Sequence, residues 1–176
     1  DQIGGCITEI STETSRVFID FGQNLPGNGE PTTPEEDEAL VTHILAQNKK
    51  QHEAVFYTHG HEDHVGLFEY IPEYVPQYMS EGTKGLLKIK YDVLYEGVNL
   101  KVNQLLDIGC DSQEYSDAIN NLLYADNKCK LLNKIQVWKR TSPRKIPESI
   151  CIGDIMITPF FNCHSIYDSH MFLIEA

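Results

Sequence analysis

The stretch AVFYTHGHEDHVG, residues 54–66, constrains this chain more than any other. Its first five residues are apolar, aromatic or β-branched, and they read as a short strand buried on both faces. Directly after it, three of the chain's seven histidines fall at positions 59, 61 and 64, with Asp63 beside the last. The predicted order is strand, tight loop, helix. Such a strand needs neighbours in a sheet, and its end must deliver four ligand-type side chains to one place.

In an extended loop, residues two apart point the same way. His59 and His61 can therefore converge on one ion, with Gly60 letting the backbone bend between them. Asp63 and His64 lie where the chain turns into a helix, so they diverge from the first pair and can begin a second site. Imidazole and carboxylate together suit Zn²⁺, and also Mn²⁺ or Fe. Two such ions about 3.5–4 Å apart can clamp a hydrolytic transition state.

The rest of the chain supplies strands and helices in alternation. CITEI and RVFIDFG read as strands joined by the polar turn STETS, an opening hairpin. After a Pro/Gly-rich loop, Thr33-Pro34-Glu35-Glu36 forms a capping box with proline at the first helical position. The helix it opens carries Leu40, Val41, Ile44 and Leu45 on one face. VPQYM is another strand, and Ser80 caps a helix running to about Val98 with a stripe of Leu87, Tyr91, Leu94 and Val98. Tyr115, Ala118, Ile119, Leu122 and Leu123 mark a further helix. KIQVWK, SICIG and IMITPFF are later strands. The class is α/β or a layered α+β fold.

Length and charge narrow the function. A chain of 176 residues fits one domain with an insertion and buries a core without disulfides. Its five cysteines form no Cys-x-x-Cys pair, a usage suited to a reducing cytoplasm. No apolar run approaches the ~20 residues of a membrane span. The first ten residues lack the basic and apolar regions of a signal peptide, and no methionine opens them, so the natural start is expected upstream. Net charge is −12, which argues against indiscriminate attraction to nucleic acid or anionic lipid. Residues 128–145, however, hold seven of the fourteen basic residues and no acid. Trp138 lies among them, an aromatic within positive charge, as single-strand binding uses.

The pattern His-x-His-x-Asp-His in THGHEDHVG resembles the metal-binding motif of the metallo-β-lactamase superfamily of hydrolases. The resemblance implies an aspartate on an earlier strand that fixes the metal loop, a role Asp20 of FIDFG would fill. It implies a further histidine after a later strand, which ITPFFNCHSIYDS supplies as His164. QIGG before the hairpin and the His-Ser-Ile-x-Asp-Ser string at His164–Ser169 look like the ribonuclease J branch. The likeness covers roughly residues 3–27, 54–66 and 154–175; the middle matches only in its alternation of elements.

Carried over, His59, His61 and His164 would bind a first metal, zinc or else Mn or Fe. Asp63 and His64 would begin the second site, with Asp63 also placed in the catalytic machinery. The implied fold is the N-terminal portion of a metallo-β-lactamase-like αβ/βα sandwich, one incomplete domain over 1–176 with a helical insertion near 81–133. The implied function is metal-dependent phosphodiester hydrolysis, with single-stranded RNA as a partner. The alternatives are a thioester, lactam or other ester hydrolase, and a non-catalytic metal-binding fragment. The family completes its dinuclear site with a bridging aspartate and another histidine farther on. The 176-residue chain itself is therefore expected to be inactive, to expose apolar surface and to associate with a second copy.

The remaining candidates are weaker. Asp168 and His170 are expected on the turn and in the next strand rather than as ligands. His43 and His52 are expected at the surface. Cys163 is expected to point away from the site and pack. No Gly-x-Gly-x-x-Gly or phosphate-loop lysine supports nucleotide binding.

Overall fold

The polar turn STETS closes on itself through a side chain: Thr12 Oγ1 accepts from the Ser15 amide at 3.0 Å, and the chain reverses there. In the computed structural model, which describes residues 5–24, 32–108, 113–138 and 148–176, this turn joins β1 (Thr8–Ser11) to β2 (Ser15–Ile19) as a hairpin. There follow α1 (Pro34–Ala46), β3 (His52–Phe56), α2 (Glu62–Val65), β4 (Gln77–Ser80), α3 (Glu81–Asp107) and α4 (Gln113–Lys134). The chain then forms β5 (Gln136–Trp138), β6 (Ile150–Ile152), β7 (Ile155–Phe161) and β8 (His170–Glu175). It is α+β. QIGG as far as Gly4, most of the Pro/Gly-rich loop, Cys110 and the basic residues 139–145 lie outside the described residues.

The chain divides into two compact units, residues 1–83 with 135–176, and Lys84–Lys134. In the first, a five-stranded sheet has the order β1-β2-β3-β4-β5, antiparallel at the hairpin and parallel from β2 onward. A second sheet, β6-β7-β8, is antiparallel. Strand alternation divides β2 between two jobs. Val17 joins Ala54, Phe56 and Trp138 against Ile152, Ile155 and Ile157 of the second sheet, forming the core between the sheets. Arg16 and Phe18 face the other way, towards α1. Fully buried, Arg16 donates to the carbonyls of Leu45 (3.1 Å) and Gln47 and pairs with Glu53, its cross-strand neighbour. One cation thus satisfies the carbonyls that the end of α1 leaves open and neutralises the carboxylate beside it.

The capping box of α1 forms as its sequence predicts: Thr33 Oγ1 accepts from the Glu36 amide, and Glu36 accepts from the Thr33 amide at 2.9 Å. Val41 and Leu45 are buried, but Leu40 is 37% exposed, so the apolar face is narrower than its four residues suggest. Trp138 is 6% exposed and packs edge-on against Phe172. It belongs to the core and offers no ring to a nucleic-acid base. Cys163 is exposed rather than packed. Across the outer face of the second sheet, Phe160, Met171 and Leu173 are 37%, 53% and 49% exposed.

In the second unit, Val102, Leu105 and Ala118 are buried together, with Val98, Tyr115, Ile119 and Leu122 packed against them. Helix α3 runs on to Asp107, past the Val98 end expected, because Val102 and Leu105 continue its buried stripe. Leu94, expected in that stripe, is 37% exposed. Within the described residues no helix is long and apolar enough to cross a membrane.

Candidate metal centre

Because β2, β3 and β4 are parallel, their C-terminal ends share one edge of the sheet, where open parallel sheets hold ligands. Asp20 follows β2 there, and Thr58 and His59 lie just beyond β3. Asp20 has φ of 64°, in the left-handed region that aspartate tolerates better than most residues. Its amide donates to the Phe56 carbonyl at 2.8 Å. Its carboxylate turns under the loop, with Oδ1 accepting from the Thr58 amide and Oδ2 from His64 Nδ1, each at 2.7 Å.

The loop is clamped from outside as well. The amides of Phe21, Gln23 and Cys6 donate to the carbonyls of His64, Glu62 and Asp63, all at 2.9 Å. Gly22 makes this approach feasible, since a Cβ there would lie 1.7 Å from the Asp63 carbonyl oxygen. The sequence carries no signal for this role, since a glycine two residues beyond an aspartate is common. In sequence, Thr58 likewise reads only as the end of a strand.

His164 arrives by a longer route. The amide of Asn162 donates to Ser169 O at 2.8 Å, closing the loop between β7 and β8. Asp168, buried and at φ of 60°, accepts from the Gly82 amide at 2.8 Å, while its carbonyl accepts from Ser80 Oγ at 3.2 Å. The His170 amide donates to Thr58 O at 2.9 Å, and His170 Nδ1 donates to Asp168 O at 3.0 Å. Asp168 and His170 are therefore parts of the scaffold that hold the loop. His164 is exposed, with its Nδ1 accepting from the Ser165 amide at 2.7 Å.

These routes bring His59, His61 and His164 together, with ligand atoms all within 4.8 Å of one another. The His59 ring lies 4.7 Å from that of His61 and 4.6 Å from that of His164. His59 Nε2 and His61 Nδ1 are 3.0 Å apart. Two nitrogens on one tetrahedral zinc are roughly 3.3 Å apart for Zn–N bonds of 2.0–2.1 Å, so the donors fit a metal. Burial, followed by the neighbouring His64, His61 and His164, lowers the pKa of His59 to about 4. A neutral imidazole at physiological pH is the form a metal binds. The group can hold a metal ion.

Asp63 and His64 stand outside that group, with Oδ2 and Nε2 3.7 Å apart. The His64 ring is 4.0 Å from that of His59. The hydrogen bond to Asp20 pushes the His64 pKa up, so a metal at this second position competes with a proton. A cavity of about 410 Å³ opens beside the histidines, lined on its other walls by Ile10, Ile19, Met171, Phe172 and Ile174.

No protein-family model matches the sequence, and no curated protein does. Among solved structures, a protein of unknown function from Enterococcus faecalis V583 is similar, at 21% identity and a TM-score of 0.57. The similarity spans 99% of this chain and 38% of the neighbour's, so this chain matches well under half of that protein. At that identity the likeness concerns the fold.

Proposed function

We propose that this chain carries the metal centre of a hydrolase of the metallo-β-lactamase type, with the ribonuclease J-like phosphodiesterases as its nearest functional kin. The observation that carries the reading is the convergence of His59, His61 and His164, with Asp63 and His64 alongside and Asp20 beneath. In this reading His59, His61 and His164 hold one ion, and Asp63 with His64 begins a second position. Zinc is the metal the three imidazoles suit best, with Mn or Fe as alternatives. When bound, the metal lowers the pKa of water and polarises the scissile group. Asp63, with its carboxylate beside His64, accepts a proton from the attacking water, and Asp20 keeps the loop in place. The polymer substrate would be single-stranded RNA.

One observation favours a second reading, the hydrolysis of an ester, thioester or lactam. The cavity beside the histidines is walled by isoleucine, methionine and phenylalanine and, among the described residues, includes no lysine or arginine. A phosphodiester polymer would be drawn by positive charge, whereas an acyl substrate would gain from apolar walls.

Zinc titration with elemental analysis, on the wild type and on His59→Ala/His61→Ala, tests the metal assignment. Wild-type affinity in the double variant would overturn it. Hydrolysis of single-stranded RNA, a thioester and a β-lactam, by this chain and by any longer form that carries it, with added Zn²⁺ or Mn²⁺, separates the substrates. Cleavage of the acyl substrates alone would replace the first reading by the second. Metal binding without turnover of any substrate by either protein would leave a non-catalytic metal-binding role.

A further inference from the structure

We propose that Thr58 is a positioning residue that decides which nitrogen of His59 carries the proton and links the orientations of His59 and His64 through Asp20. The proposal rests on the metal-centre reading, but the geometry behind it involves only this chain's own atoms. Thr58 Oγ1 lies 2.8 Å from Asp20 Oδ2, 2.8 Å from His59 Nδ1 and 3.3 Å from His64 Nδ1. A hydroxyl has one proton to give and two lone pairs to accept with, whereas an ionised carboxylate only accepts. A hydrogen bond to a charged acceptor is also stronger than one to a neutral ring nitrogen. The hydroxyl proton therefore goes to Asp20, and Thr58 Oγ1 accepts from His59 Nδ1–H.

The consequence falls on the far side of the ring. With its proton on Nδ1, His59 presents a lone pair at Nε2, the atom 3.0 Å from His61 Nδ1. Had the hydroxyl donated to His59 instead, Nε2 would keep its proton and point an N–H where a ligand needs a lone pair. Asp20 performs the same service for His64 directly, accepting from its Nδ1 at 2.7 Å. One carboxylate thus orients two imidazoles, one by contact and one through Thr58. Outer partners of this kind fix the tautomer of metal-binding histidines.

Thr58 is itself held on several sides. Its amide donates to Asp20 Oδ1 at 2.7 Å and its carbonyl accepts from the His170 amide at 2.9 Å. A β-branched side chain on a fixed backbone has few rotamers, so the hydroxyl stays between the carboxylate and the ring. Valine would keep the shape and lose the hydroxyl; serine would keep the hydroxyl and lose the branch.

The test is side-chain ¹⁵N NMR of the metal-free protein near neutral pH, alongside zinc titration, for the wild type, Thr58→Val and Thr58→Ser. The wild type and Thr58→Ser should show His59 protonated at Nδ1. Thr58→Val should lose that preference and bind zinc about 10–100-fold more weakly, with Thr58→Ser within a few-fold of wild type. A wild-type His59 protonated at Nε2 overturns the proposal, and this measurement does not depend on any variant folding. Unchanged tautomer and affinity in Thr58→Val overturn it as well. If the wild type binds no zinc but shows the Nδ1–H tautomer that Thr58→Val abolishes, the metal reading fails and the role of Thr58 in setting the proton stands.

Discussion

Two loops bring histidines to the centre, and they are built in opposite ways. Residues 58–64 run without interruption from a short loop into α2, and the first histidine there is 2% exposed. Backbone hydrogen bonds from residues 6, 21 and 23 clamp this segment, and the Asp20 carboxylate supports it from below. The loop at 162–169 leaves its histidine exposed and is anchored chiefly through Asp168, 86 residues from its partner Gly82 in sequence. The first loop is held by several backbone hydrogen bonds; the second could contribute a ligand only while its anchor holds. A metal centre assembled this way should tolerate damage to the second loop better than damage to the first.

The largest effect should come from His59→Ala/His61→Ala. Two of the three imidazoles disappear, so specific zinc binding should fall to the level of isolated surface histidines when followed by titration. His164→Ala should cost less, since the clamped pair remains. If the single change proved as damaging as the double one, the contrast between the loops would collapse.

Gly22→Ala attacks the first loop without touching a ligand. Its Cβ would meet backbone, which cannot swing aside. Unfolding in urea should show a loss of about 1–3 kcal/mol or more, together with weakened zinc binding. Asp168→Ala attacks the second loop. It removes a buried acceptor from the first turn of α3, and a stability loss of about 1–3 kcal/mol is expected. Asp168→Asn, which keeps an acceptor oxygen, should recover part of that loss. Zinc affinity should fall less in Asp168→Ala than in Gly22→Ala.

The last effect is a pH dependence confined to the first loop. The folded-state pKa of His59 is lowered from 6.5 to about 4. Between those values the unfolded chain binds a proton that the folded chain does not, so stability falls as pH drops from about 6.5 to about 4. His64 works in the other direction. Its raised pKa means that its pairing with Asp20 contributes fully below about 6.5 and is lost as pH rises through the folded value. Metal-free protein should therefore be most stable near pH 6.5 in urea melts with chelator present. His59→Gln should remove the acid limb and leave the alkaline one.

How much was legible in advance follows the same division. The capping box at Thr33 involves residues three apart, and it forms as read. The family resemblance implies an aspartate beneath the loop, and Asp20 there accepts from Thr58 and His64. Side-chain exposure was harder. Leu40 and Leu94 carry the right spacing yet lie at the edge of their helix faces, because helical period fixes direction but not the width of the surface opposite. Trp138 sits among basic residues in sequence, but β5 pairs with β4 and turns its indole into the core.

By itself the sequence determined the local chemistry: a buried strand ending in His-x-His-x-Asp-His, the hairpin before it and the helices that alternate with the strands. Those features depend on residues a few positions apart, where backbone geometry leaves few choices. Only the tertiary structure decided that His164 reaches His59, that Gly22 must be bare, that Asp168 anchors a loop and that Thr58 stands between Asp20 and His59. Each of these depends on where distant backbone segments pass one another, and that is set by the packing of two sheets and the register of their strands.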